Sequence, residues 1–208
     1  LALKQEPTTF TTPEYHMAEA KARIYTDGLQ LWANPRWLGT PERGTAKLFD
    51  ISGFARHGTL NSDYAAIWTT SAAPESKLLL DGVNDQVDFG NILNDDGTGD
   101  FVIEMYIRVL AANGTKINIL SKKNVLQSTV VGFGLVRDTS NALYFDFADG
   151  TNRVSTGTAG NVILQNTWYH IAVVVDRNGS AQIYVNGAAS GSPQSVAGVA
   201  SATNALSL

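Results

Sequence analysis

The chain has no cysteine among its 208 residues, which excludes disulfides, thiolate metal sites and cysteine nucleophiles. Charge is scarce as well: 16% of residues are charged, and 15 Lys and Arg against 19 Asp and Glu give a formal net charge of −4. Proteins that grip a phosphate backbone need clustered cations to displace its counterions, so nucleic acid is excluded as a partner. No apolar run approaches the ~20 residues that span a bilayer, and the N-terminus lacks the basic-then-apolar plan of a signal peptide. Membrane insertion is therefore not expected, while a start at Leu1 without methionine is compatible with a processed leader. Catalytic signatures are missing too. There is no Gly-x-Ser-x-Gly and no His-x-x-x-His, and the three histidines His16, His57 and His170 stand in unrelated segments.

What the chain does have is 19 glycines and 44% hydrophobic residues, enough turns and enough core for one large β domain. The clearest segment runs from Trp168 to Gly187. There Ile171, Val173 and Val175 alternate with Ala172 and Val174, the period of two that sends successive side chains to opposite faces of a sheet. Asn178-Gly179 closes a hairpin, and Asn186-Gly187 ends the return strand 181–185 with a dipeptide suited to positive φ. Trp168 is read as a core residue.

Upstream, short strands alternate with Gly, Asn, Asp, Ser and Thr clusters. They are expected from Leu29 and Leu31, over 78–80 as a buried strand, at Val87 and Phe89, and over Phe101, Ile103, Met105 and Ile107. Others follow at 117–120, 131–136, 142–147 and 153–155. So many short strands predict two packed antiparallel sheets. Residues 1–28 differ: Thr12, Pro13 and Glu14 read as a helix start, Ala18, Ala20, Lys21, Ala22 and Arg23 favour helix, and Gly28 ends it. Tyr15, Ala18, Ala22 and Tyr25 would share one face of this arm. That face packs either on its own sandwich or on another subunit.

Four segments carry a family resemblance: Asp50 to Leu60 (DISGFARHGTL), Leu78 to Asn91 (LLLDGVNDQVDFGN), Gly97 to Val109 (GTGDFVIEMYIRV) and the Trp168 to Gly187 stretch. In this order they resemble the laminin-G-like domains of the concanavalin A-like lectin/glucanase superfamily, over residues 29–208. The resemblance implies an all-β fold, a two-sheet antiparallel jelly-roll sandwich with the short N-terminal helical arm of residues 1–28 added. Family members generally end with a glycine-rich turn and an Asp-Glu-hydrophobic-Arg strand, which this sequence lacks up to Leu208. The sandwich is thus expected without its last strand, completed either by further chain or by a strand from a neighbour.

Glucanases of this superfamily use paired carboxylates about 5–5.5 Å apart when retaining. Their Glu-x-Asp-x-Glu motif, or its bulged form, is absent here. Glu104 shares a strand face with Tyr106 and Arg108, and Asp146 and Asp149 have a spacing that separates them. All three acids are read as solvent-side polarity, and no enzyme activity is expected. Asn94 to Asp100 supplies hard oxygens in a glycine-broken loop, making Asp95, Asp96 and Asp100 the candidates for a bound Ca²⁺. Met105 stands where an EF-hand would place its closing Glu.

A sugar needs an aromatic platform beside hydrogen-bonding loops, and Trp37 and Trp68, with Tyr64 and Asn61 nearby in sequence, are the candidates for it. The main reading is a noncatalytic surface-recognition or attachment module for glycan or a cell surface. The alternative is a structural subunit of a virion (capsid decoration, tail or fibre) or another surface assembly, forming an oligomer or meeting a virion neighbour through residues 1–28. Gly-Thr-Gly-Asp-Phe followed by Ile-Glu-Met is similar to laminin-G-like modules of phage structural proteins and of secreted bacterial proteins. Either reading places the protein outside the cell or on a virion surface.

Overall fold

A computed structural model describes residues 30–33, 47–50, 52–60, 78–93, 99–124 and 128–200. Among the described residues the fold is all-β, with no helix and eleven strands. Three short ones, β1 (Lys47–Leu48), β2 (Gly58–Leu60) and β3 (Val87–Asp88), make a small antiparallel sheet in that order. The remaining eight are β4 (Phe101–Arg108), β5 (Ile117–Ser121), β6 (Gly132–Arg137), β7 (Leu143–Ala148), β8 (Arg153–Gly157), β9 (Trp168–Val175), β10 (Ser180–Val185) and β11 (Ala188–Ser195). They form two four-stranded antiparallel sheets, ordered β11-β10-β9-β4 and β5-β6-β7-β8. The chain changes sheet between β4 and β5 and returns between β8 and β9.

Side-chain alternation explains why these sheets face each other. On β4, half-buried Phe101, Ile103, Met105 and Ile107 alternate with exposed Val102, Glu104, Tyr106 and Arg108, and every β4 residue pairs in register with β9, from Phe101↔Val175 to Arg108↔Trp168. The inward faces meet through phenylalanines. Phe101 of one sheet lies with its ring centroid 6.0, 6.4 and 5.9 Å from those of Phe133, Phe145 and Phe147 of the other. Each fully buried ring of this size contributes roughly 1.5–3 kcal/mol by leaving water, and Leu135, Leu143, Ile171, Val173 and Ile183 fill the same core.

The turns are built as their sequences demand. Asn186 and Gly187 both take positive φ, 51° and 81°, the pattern of a two-residue hairpin turn between β10 and β11. Between β9 and β10 the Gly179 amide donates to Asp176 O at 3.0 Å, and a Cβ on Gly179 would fall 2.4 Å from Asp176 Oδ2. Glycine is there for space, not for backbone handedness.

Three readings are corrected, and one strand was not foreseen. Residues 78–80 are not a buried strand, since Leu79 and Leu80 are 38% and 45% exposed. Leu31 lies in no strand, and Ala33 makes only an isolated bridge to Asp50. Strand β11, with sequence AASGSPQS, had no apolar rhythm to announce it, yet it pairs antiparallel with β10. Asp146 does not face solvent. It is fully buried, and Lys123 Nζ meets its Oδ2 at 2.8 Å while Arg153 Nε meets its Oδ1 at 2.5 Å. On the side of β7 opposite Phe145 and Phe147, this carboxylate is buried at 0% exposure with two cations in place of its water. The helical arm and the boundary expected at residue 28 lie outside the described residues.

Candidate functional site

The sequence-chosen platform, Trp37, Trp68, Tyr64 and Asn61, lies outside the described residues, as do Asp95 and Asp96. Asp100 is described. It is exposed, and its Oδ1 accepts the backbone N–H of Arg177 at 2.7 Å, tying the start of β4 to the β9–β10 turn. Among the described residues no three His, Asp or Glu side chains gather around a common point.

The other conspicuous acids are occupied by their own loops. Asp50, in the DISGFARHGTL segment, accepts the N–H groups of Trp32 (2.9 Å), Ser52 (2.8 Å) and Arg56 (3.0 Å) and the Ser52 hydroxyl (2.8 Å). Burial works to raise its pKa, but these donors outweigh burial and hold the carboxyl below its usual range. The Asp50 N–H in turn donates to His57 Nδ1 at 3.1 Å, and the His57 ring rests 4.8 Å from that of Phe49. Asp, Ser and His in that segment thus clasp one loop. Asp81 does the same downstream, where its Oδ1 accepts the N–H groups of Val83, Asn84 and Asp85 while Asp85 Oδ2 accepts the Asp81 N–H at 2.9 Å.

Asp149 clasps the far end of the described chain. It accepts the N–H of Ala200 at 2.7 Å, with those of Asn152 (2.6 Å) and Thr151 (2.8 Å). Led by the Ala200 bond, these donors bring its pKa from 3.8 down to about 2. A carboxylate depressed on folding stabilises the native state above its unfolded pKa, and the contribution is lost as pH falls through the folded value. Urea midpoints of the wild type should therefore drop between about pH 4 and pH 2. Asp149→Asn should flatten that limb, and an unchanged limb would show that the Ala200 clasp does not operate.

Among the described residues, one exposed face gathers aromatic side chains. The outer face of β4 and β9 presents Tyr106, 75% exposed, and Trp168, 45% exposed. Tyr106 pairs with His170 across the strands, their ring centroids 4.9 Å apart, and Arg108 pairs with Trp168, its Cζ lying 5.5 Å from the ring. The sequence reading placed Trp168 in the core. Period two carries the correction: with Ile171, Val173 and Val175 inward, Ala172, His170 and Trp168 must point outward. Glu104 lies on the same outer face, as its spacing predicted, and on a different sheet from Asp146.

Two antiparallel sheets closed over interlocked phenylalanines, with edge loops clasped by carboxylates, define the class of two-layer β-sandwiches. The chain belongs to the Laminin_G_3 family of the concanavalin A-like lectin/glucanases superfamily, whose family model matches residues 81–208. None of the curated protein sequences matches it. Among solved structures it is similar to the botulinum neurotoxin serotype D ligand-binding domain in complex with N-acetylneuraminic acid, with TM-score 0.60 and 12% identity over 91% of this chain and 42% of that one. It is also similar to the receptor-binding domain of botulinum neurotoxin D, with TM-score 0.57 and 15% identity over 77% of this chain and 40% of that one. A botulinum neurotoxin type C structure gives TM-score 0.52 and 13% identity over 89% and 42% of the two chains. The chain spans about two fifths of the length of these structures, and at such identities the likeness is one of fold.

Proposed function

We propose that the protein is a noncatalytic attachment module that binds glycan on a cell surface. The observation that carries this reading is the shared fold with toxin binding domains, one of them in complex with N-acetylneuraminic acid. The type C neurotoxin, which shares that fold, depends on interaction with two ganglioside molecules to enter cells. The engagement of five described acids supports it too. Asp50, Asp81 and Asp149 are bonded by backbone amides, Asp146 is buried between two cations, and Glu104 lies on an open sheet face. A glycosidase needs two carboxylates converging on one bond, and these five serve the scaffold or stand apart. Trp37 and Trp68, with Tyr64 and Asn61, are the loop candidates for the sugar. The reading as a virion or assembly subunit rests on residues 1–28, outside the described part, on the expected unfinished C-terminal sheet and on the resemblance carried by Gly-Thr-Gly-Asp-Phe and Ile-Glu-Met.

A glycan array probed with the whole chain tests the proposal. Binding to a defined set of glycans, abolished by competing free sugar, is the expected outcome. A chain that binds no glycan on the array, while its circular dichroism shows a folded β protein, would remove the proposal.

A further inference from the structure

The binding reading leaves open where a sugar would sit, and the described molecule offers a place that the sequence did not single out. Val102/Val174, Glu104/Ala172, Tyr106/His170 and Arg108/Trp168 are successive cross-strand pairs on the outer face of β4 and β9. At about 3.3–3.4 Å per residue the stripe runs roughly 20 Å, and it is two strands wide. Its rings sit at one end. Tyr106 is the most exposed aromatic side chain among the described residues, and Trp168 is its diagonal neighbour.

Two features favour a sugar over a protein as the occupant. A stable protein interface covers roughly 800 Å² per partner around several clustered anchors. Here the exposed anchors are two rings, with half-buried Tyr184 beside Ala172 on the next strand, and β11, at the sheet's far edge, is exposed and carries only Ala, Ser, Gly, Pro and Gln. The rings are also flanked by hydrogen-bonding groups, not by aliphatic ones, with His170 against Tyr106 and Arg108 against Trp168. That combination suits a saccharide, whose C–H faces lie on the electron-rich faces of rings while its hydroxyls meet planar polar side chains. Arg108 adds a charge. Its guanidinium is exposed at the ring end of the stripe, and its geometry fits a carboxylate in two parallel bonds.

We infer that the outer face of β4 and β9 is the glycan site, with Tyr106 and Trp168 as its platform and Arg108 selecting sugars that carry a carboxylate. The inference rests on the proposed binding function and gives that function its residues. All three side chains stand outside the core, so their replacement leaves the fold in place, and an unchanged thermal midpoint verifies this for each variant.

The experiment titrates the whole chain with 3′-sialyllactose and with lactose, following the Trp168 indole N–H resonance alongside calorimetry. Tyr106→Ala and Trp168→Ala should each raise Kd about tenfold. Arg108→Gln should erase the preference for 3′-sialyllactose over lactose, and the indole resonance of the wild type should move on titration. If the wild type binds glycans on the array but these variants bind as tightly as it does, with the indole resonance unmoved and affinity lost in Trp37→Ala, the face is not the site and the function stands. If the wild type binds no glycan at all, the function itself falls, and this assignment falls with it.

Discussion

Arg137→Met is expected to cost the fold about 2–4 kcal/mol. Arg137 closes β6 on the inward side, in step with Phe133 and Leu135, and its side chain is 0% exposed. Nothing in its immediate reach is a carboxylate. Nε donates to Ile163 O at 3.0 Å, Nη1 to Thr115 O at 3.2 Å and Ala112 O at 3.4 Å, and Nη2 to Asn113 Oδ1 at 3.1 Å and to Asn141 Oδ1. Burial lowers its pKa, an effect that Asp138 and Tyr169 partly oppose, yet guanidinium ionises so readily that it stays charged. One side chain thus satisfies carbonyls from two loops, those around residues 112–115 and 161–165, and the amide oxygen of Asn141 between β6 and β7.

Removing that side chain orphans Ile163 O in the core and takes one of two donors from Asn141 Oδ1, which keeps the Gly114 N–H, while the exposed acceptors of Ala112, Asn113 and Thr115 can turn to water. A buried orphan costs about 1–3 kcal/mol, and with the weakened tie to Asn141 the total should be about 2–4 kcal/mol, a sizeable share of the 5–15 kcal/mol that holds a domain together. Arg137→Lys keeps the charge but replaces a rigid fork with a single ammonium on a flexible stem. Urea midpoints should fall in the order wild type, Lys, Met. A Met variant as stable as wild type would show that the guanidinium network is replaceable by packing alone.

Arg137 also shows why part of this fold was legible and part was not. Strands β4, β9 and β10 could be read because their apolar residues alternate against polar or small ones, and the period alone assigns faces. The same parity places Arg137 inward, but a charge at a strand end reads as solvent-facing unless its acceptors are known, and the loop acceptors lie 22 to 26 residues away in either direction. Asp146 was misread for the same reason, its partner Lys123 lying 23 residues upstream. Short-range bonding was easier to foresee. Most of the Asp50 clasp falls within one motif, since its donors Ser52 and Arg56 and its acceptor His57 are at most seven residues away, and the Trp32 N–H alone comes from 18 residues upstream. For binding, the sequence favoured tryptophans in long loops over those in strands, which put Trp37 and Trp68 ahead of the Tyr106 and Trp168 pair. Only the β4–β9 register brings that pair together.

Strand β11 is the extreme case, because nothing in AASGSPQS attracts a core and its place depends on backbone contact. Gly191 carries that contact. It sits at φ +78°, and a Cβ built on it would lie 1.9 Å from Gly157 O and 2.9 Å from the carbonyl carbon of the same residue. Both atoms belong to the backbone of β8, at the edge of the opposite sheet, where the Thr156 hydroxyl also donates to Ser192 O at 3.2 Å. The sandwich is closed along this side by main chain meeting main chain, with no side chain able to rotate out of the way. Gly191→Ala should therefore combine the cost of an L-residue at positive φ, about 1–2 kcal/mol, with an overpacking cost of about 1–3 kcal/mol. Gly187 supplies the control, since its φ is +81° and nothing lies within 4 Å of its would-be Cβ. Gly187→Ala should show the backbone cost alone, so the difference between the two urea midpoints measures how closely β8 and β11 approach. Equal losses in the two variants would mean that the sheets do not touch at Gly191, and that side chains close this edge after all.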